Sequence, residues 1–276
     1  MQLENRVAII TGAGRGIGRA IALAYAKEGA KLALAARTRS ELEETARLAE
    51  SLGAATCVIP TDVSDQAQVE EMVRRTLDRY STIDILVNNA CIIGPIGPVQ
   101  DSDVSSWIRT IHVNLIGTYL CCRAVLPVML RQDRGKIINM AGAGYRSGQR
   151  HISGSVTSKA GIERLTETLS LELVGKNIQV NTLGPGSIHT GMWEELRDGA
   201  KAAGAAELYE QGQMVTSGGG ASLEQAAELA MFLASDASGN LSGRLITQFD
   251  DFTNLPSRIP DIMASSAYTL RRVELE

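Results

Sequence analysis

The chain has 276 residues with 27 glycines, 7 prolines, 44% hydrophobic residues and a formal net charge of −4. That length and apolar content suit one α/β domain rather than two. A slightly acidic chain with no basic run argues against nucleic acid and anionic membranes as partners. No apolar run reaches the ~20 residues that span a bilayer, so no membrane association is expected.

Near the start, Glu4 and Arg6 stand where a secretory leader would carry its apolar region. Cys57, Cys91, Cys121 and Cys122 lie in or beside apolar segments with no metal-ligand spacing, as reduced thiols in a cytoplasmic protein do. No metal is expected. The terminal Leu275-Glu276 reads as a vector scar and carries no weight.

In chain order, apolar strand-like runs alternate with helical patterns. Residues 6–10, 32–36, 57–60, 83–87, 136–139, 178–183 and 245–248 read as strands. They are unbroken rather than alternating, as expected where helices cover both faces of a parallel sheet. Between them, Ser40 before Glu43 resembles a capping box. Ile162, Leu165, Leu169 and Leu173 draw an apolar stripe along another helix. The alternation predicts a single-domain, Rossmann-type, doubly wound parallel sheet with helices on both faces. It covers residues 1–250, and residues 251–276 read as a C-terminal extension. The Gly/Ala-rich stretch 187–220 reads as irregular, a mobile substrate lid. The tail from Asp250 onward is expected to pack against a neighbouring subunit.

The first strand runs into Thr11-Gly12-Ala13-Gly14-Arg15-Gly16-Ile17-Gly18, which opens a helix. Glycines let a backbone approach a pyrophosphate, and the helix N-terminus supplies free N–H groups and partial positive charge. At the end of the second strand an acidic residue would accept from the ribose hydroxyls of NAD, but this chain has Ala36-Arg37. With Arg15 in the glycine turn, two guanidiniums favour a 2′-phosphate, hence NADP over NAD.

Together with Asp62-Val63, Asn88-Asn89-Ala90-Cys91, Asn114, Lys159 and the loop Pro185-Gly186-Ser187-Ile188-His189-Thr190-Gly191-Met192, this turn resembles the short-chain dehydrogenase/reductase family over about residues 4–250. The resemblance implies a nicotinamide cofactor held by Thr11, Gly12, Gly14, Arg15, Gly16, Ile17, Gly18, Arg37, Asp62, Val63, Asn89, Ala90, Lys159, Pro185, Gly186, Ile188 and Thr190. It also implies a small-molecule substrate and two long helices, near 102–130 and 155–173, that pair with a neighbour's copies into a homodimer or homotetramer.

The family places a Tyr four residues before the Lys and a Ser just past the fifth strand, where they bind the substrate oxygen. Here Ser155 stands before Lys159, and Asn139-Met140-Ala141-Gly142-Ala143-Gly144 has no hydroxyl at either candidate position, Ala141 or Gly142. An alkyl hydroxyl is a far weaker acid than a phenol of pKa ~10. Lys159 and Asn114 remain, while Tyr145, His151 and His189 are candidate replacements for the lost proton donor. Ser155 and Lys159, one helical turn apart, could also pair as nucleophile and base. The reading is an NADP-binding oxidoreductase acting on a carbonyl or alcohol through an atypical or impaired centre. The alternatives are a non-redox enzyme of lyase or isomerase type, or a catalytically silent NADP-binding protein. Residues 92–98, 141–153 and Met192-Trp193 are expected to line the pocket, with Arg146 and Arg150 drawing an anionic or sugar-nucleotide substrate.

Overall fold

Each unbroken apolar run becomes a strand, largely buried except at the margin strand β3, where only Ile59 is buried: β1 (Val7–Thr11), β2 (Lys31–Ala36), β3 (Thr56–Pro60), β4 (Ile85–Asn88), β5 (Gly135–Met140), β6 (Ile178–Gly184) and β7 (Leu245–Thr247). The computed structural model describes residues 1–142 and 147–271. Its strands form one parallel sheet in the order β3-β2-β1-β4-β5-β6-β7, the doubly wound α/β class expected. The order reverses between β1 and β4, so a crevice opens at the carboxyl ends of those strands.

The helices are α1 (Gly16–Lys27), α2 (Arg39–Ser51), α3 (Gln66–Tyr80), α4 (Val104–Ile111), α5 (Gly117–Gln132), α6 (Ser153–Glu172), α7 (Gly191–Ala202), α8 (Ala206–Met214), α9 (Leu223–Ala234) and α10 (Leu255–Met263). Strand alternation sends Ala8 and Ile10 into one core with Ile21 and Tyr25 of α1 and Leu229 and Leu233 of α9. Ile9 enters the other, with Met72 of α3, Val125 of α5 and Leu169 of α6. The stripe on α6 faces this second core, with Ile162, Leu169 and Leu173 buried and Leu165 packed beside them.

Four expectations change. The cap of α2 is Thr38, not Ser40. Arg39 already starts the helix and takes Glu43 as its (i,i+4) partner at 3.6 Å, so Glu43 does not close a capping box. Residues 187–220 are not irregular: they fold into α7 and α8 with a π turn at Val215–Gly219. Leu196, Ala200 and Leu208 close these two helices over an apolar cluster of their own. The tail folds back on its own chain, where Leu255, Ile259 and Ile262 of α10 join Leu241 and Ile246 in the first core. Arg244 Nη2 ties it down by donating to the carbonyls of Ile262 and Ser265, both at 3.0 Å. Finally, a π turn at His112–Ile116 joins α4 to α5 without a break. The resulting rod, Val104–Gln132, is long and apolar enough to cross a membrane, with a mean hydropathy of 1.6 over its most apolar stretch. That stretch is 56% buried, because the rod packs on β4, α3 and α6 as a core helix.

Candidate active site

The glycine turn is fixed to β4 by hydrogen bonds. Thr11 Oγ1 donates to the Val87 carbonyl at 3.2 Å and accepts from the backbone N–H of Asn89 and Ala90 at 3.0 and 3.1 Å. Asn89 Nδ2 donates to the carbonyls of Thr11 and Gly12 at 3.0 and 3.2 Å. Asn89 and Ala90 therefore brace the turn from below. Gly12 and Gly16 have φ of 65° and 53°, the left-handed region that glycine adopts without strain. At Gly18 a Cβ would come within 2.2 Å of the Gly12 carbonyl oxygen, so only glycine lets α1 start this close to the turn.

The donors at the start of α1 are left open. Its cap, Arg15, makes no side-chain cap bond, and the first turn carries no acidic residue. Opposite, α7 opens on Thr190, again without a side-chain cap bond. The two ends face each other: Thr190 Cγ2 lies 3.3 Å from a Cβ built at Gly16, and Arg15 Nη1 lies 3.6 Å from one built at Gly191. Two helix N-termini and one guanidinium around a glycine cradle are the donor set a dinucleotide diphosphate requires, so the residues present fit a nicotinamide cofactor.

Farther out, Arg15 and Arg37 are both exposed. Asp62 is half-buried, pairs with Arg109 Nη2 at 2.6 Å and accepts from Ser64 Oγ at 2.6 Å and Ser64 N–H at 3.0 Å. Partial burial works against its charge, yet the bonds from Ser64 and Arg109 hold its carboxyl below the usual range. Val63 is buried against Gly117, where a Cβ would meet its Cγ2 at 2.8 Å.

Beside the cradle lies a cavity of about 520 Å³. Ile17, Asn89, Ser155, Lys159, Pro185, Gly186, Ile188 and Thr190, all singled out from the sequence, line it. Lys159 is buried, and its Nζ donates to the Met140 carbonyl at 2.8 Å. Ser155 is buried one turn earlier on α6. A Cβ at Gly142 would meet Lys159 Cγ and Cε at 3.1 Å, so residue 142 faces the lysine. Asn114, at the centre of the π turn, lies behind the wall. Its Oδ1 accepts from Ile92 N–H at 2.9 Å, and its Nδ2 donates to the Ile92 carbonyl at 3.0 Å and to Ser158 Oγ at 3.1 Å. Ser158 Oγ in turn donates to the Ser155 carbonyl at 2.7 Å. Ser158 thus connects Asn114 to the Ser155 turn, a link that sequence spacing alone does not reveal.

The expected proton donors fare differently. His151 has φ 68°, its carbonyl accepts from Gly97 N–H at 2.8 Å, and its buried Nδ1 has no partner among the described residues; it does not line the cavity. Its backbone closes the loop ahead of α6. His189 is exposed and turns outward to Glu194, with Nε2 and Oε1 3.2 Å apart. Tyr145 and Arg146 lie outside the described residues. Arg150 is exposed and lines no part of the cavity, so it does not supply the expected anion contact. Ile92, Ile93, Ala141, Gly142, Met192 and Trp193 do line it, as expected. Gln149, within the expected 141–153 stretch, lines it too, as do Gln211 and Met214 from the stretch read as a lid. Phe249, from the segment after β7, is not among the expected residues, and no local pattern marks it.

Comparison with known proteins gives a consistent answer. Residues 6–201 match the family described as short chain dehydrogenase. The chain is 33% identical to 3-oxoacyl-[acyl-carrier-protein] reductase of Thermotoga maritima over 246 residues, 89% of this chain and 97% of the other. It is 36% identical to galactitol 2-dehydrogenase of Agrobacterium fabrum over 246 residues, 85% of this chain and 92% of the other. Among solved structures it resembles levodione reductase, with a TM-score of 0.82 and 30% identity over 89% of this chain and 96% of that one. It also resembles NAD⁺-bound xylitol dehydrogenase, with a TM-score of 0.84 and 28% identity over 90% of this chain and 98% of that one.

Proposed function

Because the chain belongs to the short chain dehydrogenase family, we propose that it is an NADP-binding oxidoreductase with an atypical reaction centre, acting on the carbonyl or alcohol of a small molecule. The observation that carries this reading is the meeting in one cavity of Ile17 from the glycine turn, Lys159 and Ser155 from α6, and the 185–190 loop. The exposed Arg15 and Arg37, with no acidic residue at the end of β2, support a 2′-phosphate and hence NADP.

When bound, the nicotinamide supplies or accepts the hydride. The protein's part is then to hold the substrate oxygen and move one proton. In this reading Ser155 stands in place of the family's phenol, and Ala141 or Gly142, of which Gly142 faces Lys159, in place of its hydroxyl. Lys159 Nζ, held by the Met140 carbonyl, is the cation of the cavity wall. Ser155 lies one helical turn before it on α6 and lines the same cavity, and Tyr145 or a water is the proton donor of this reading. Asn114 and Ser158 act as positioning residues that keep the Ser155 turn against β4. The protein is read as cytoplasmic and oligomeric, with residues 1–250 as the catalytic unit.

A second reading, silent NADP binding, draws support from the same replacement, since an alkyl hydroxyl at 155 is a poor acid. Two measurements separate them. Fluorescence titration is expected to give a lower Kd for NADPH than for NADH, and Arg37→Ala is expected to raise the NADPH value roughly 10- to 100-fold while sparing NADH. Carbonyl reduction is then assayed in the parent and in Gly142→Ser/Ser155→Tyr. Restoration of both hydroxyls is expected to raise turnover by about 10²-fold or more above a slow parent rate. Turnover in the restored variant alone favours silent binding, and equal affinity for the two dinucleotides refutes the NADP preference.

A further inference from the structure

The cavity wall is chemically uneven. Much of it is apolar, contributed by Ile93, Met192, Trp193, Leu196, Met214 and Phe249. Ile93 and Leu196 are buried within the apolar cluster that Ile152, Ala200, Ala205 and Leu208 complete. Among the described residues Lys159 is the one charged side chain in the lining, and its ammonium is already engaged by Met140. A substrate carboxylate or phosphate placed against these residues would find no free counter-ion among the described residues, and an unpaired charge out of water is costly.

One polar feature interrupts the wall. Gln149 Nε2, from the loop before α6, donates to Gln211 Oε1 of α8 at 3.0 Å. The other halves of the two amides, Gln149 Oε1 and Gln211 Nε2, make no hydrogen bond among the described residues. Beyond their mutual bond, the two amides retain one acceptor and one donor. Exchanging the oxygen and nitrogen of both amides leaves the same complementary pair. A hydroxyl or an amide, which both gives and takes one bond, matches such a pair, and a carboxylate, which can only accept, does not.

We propose that the substrate is an uncharged, largely apolar carbonyl compound of alicyclic or aromatic bulk, whose distal hydroxyl or amide is read by the Gln149–Gln211 pair. This rests on the reading of the cavity as a hydride-transfer site. Reduction there forms one C–H bond with the hydride of NADPH and one O–H bond with a proton drawn from solvent, giving NADP⁺ and the alcohol. Apolar walls select the body of such a substrate weakly, whereas a built hydrogen-bonding pair rejects a molecule that leaves it unmatched. A polyol fails for the opposite reason, because most of its hydroxyls would lose water without finding partners.

The test is calorimetric titration of the full chain loaded with NADP⁺, using three probes. They are 6-hydroxy-1-tetralone, its 6-carboxy counterpart and xylitol. The hydroxytetralone is expected to bind at least tenfold more tightly than either of the others. Gln211→Ala and Gln149→Ala are each expected to weaken it fivefold or more while leaving the Kd for NADP⁺ unchanged. Equal or tighter binding of the carboxylate or of xylitol overturns the proposal, as does an unchanged affinity in both glutamine variants or no binding of any probe. Failure to bind NADP⁺ itself overturns the hydride-transfer reading instead. The same ranking on the unloaded chain would then support the substrate class, and its absence would overturn it.

Discussion

Glu163 lies one turn beyond Lys159 on α6, is 4% exposed, and its buried Oε1 has no partner among the described residues. Burial first, and then the neighbouring Glu167 carboxylate, push its carboxyl up to about 7, with Arg164 acting in the other direction. Glu167 itself is fully engaged by Arg164, Arg271 and the Leu270 N–H, so it offers Glu163 no relief. A carboxyl raised above its ordinary value keeps a proton in the folded chain that the unfolded chain has already lost. Stability from this group is therefore present at low pH and falls as pH rises from the ordinary carboxylate range through about 7. Glu163→Gln is expected to raise Tm at pH 8, by the equivalent of roughly 1 to 3 kcal/mol, and to change it little at pH 5. Thermal melts at the two pH values check this; equal shifts at both would mean that packing, not charge, is responsible.

The turn between β1 and α1 works as one element with the end of β4. Its glycines are not interchangeable, because Gly12 and Gly16 need left-handed backbone, whereas Gly18 needs only the absence of a Cβ. Gly18→Ala is expected to drive α1 away from the Gly12 carbonyl and to weaken NADPH binding at least tenfold, with the rest of the fold retained. Circular dichroism and a dinucleotide titration would show whether the loss is confined to the turn. Elements of this kind are legible in the sequence because glycine spacing and unbroken apolar runs are local signals. The strands were readable to within a residue or two for the same reason: with both faces of the sheet covered, most of their positions are apolar. The helices α7 and α8 were not readable, since their Gly- and Ala-rich composition resembles a loop and their apolar contacts are made mainly with each other. The Gln149–Gln211 contact joins residues 62 apart in the chain, and no spacing rule reaches it.

Over the whole molecule, the surface carries one conspicuous apolar line. Ile108, Ile116, Tyr119 and Leu130 are 38–47% exposed and follow one another at helical spacing along the α4–α5 rod. Leu171 and Val174, at the end of α6, are 74% and 75% exposed. Apolar surface so arranged is unfavourable in water and suits a symmetric contact with a second copy. A homodimer or homotetramer is expected in light scattering at micromolar concentration, and Tyr119→Glu is expected to shift it toward monomer; a monomeric parent would refute the assembly. The tail's α10 packs its apolar side into the subunit's own core.

That tail has a consequence for the open margin of the sheet. β7 is the last strand, and a margin strand normally presents its outward amides to any passing chain. Here the Leu245 N–H is taken by the Tyr268 carbonyl at 2.8 Å, and the Thr247 N–H by the Asp250 carboxylate at 2.7 Å. The last stretch of the chain is thus a hem sewn along a raw selvedge. Cutting the chain at residue 248 would strip both partners from these amides and leave the border of β7 open to pairing with a neighbouring chain.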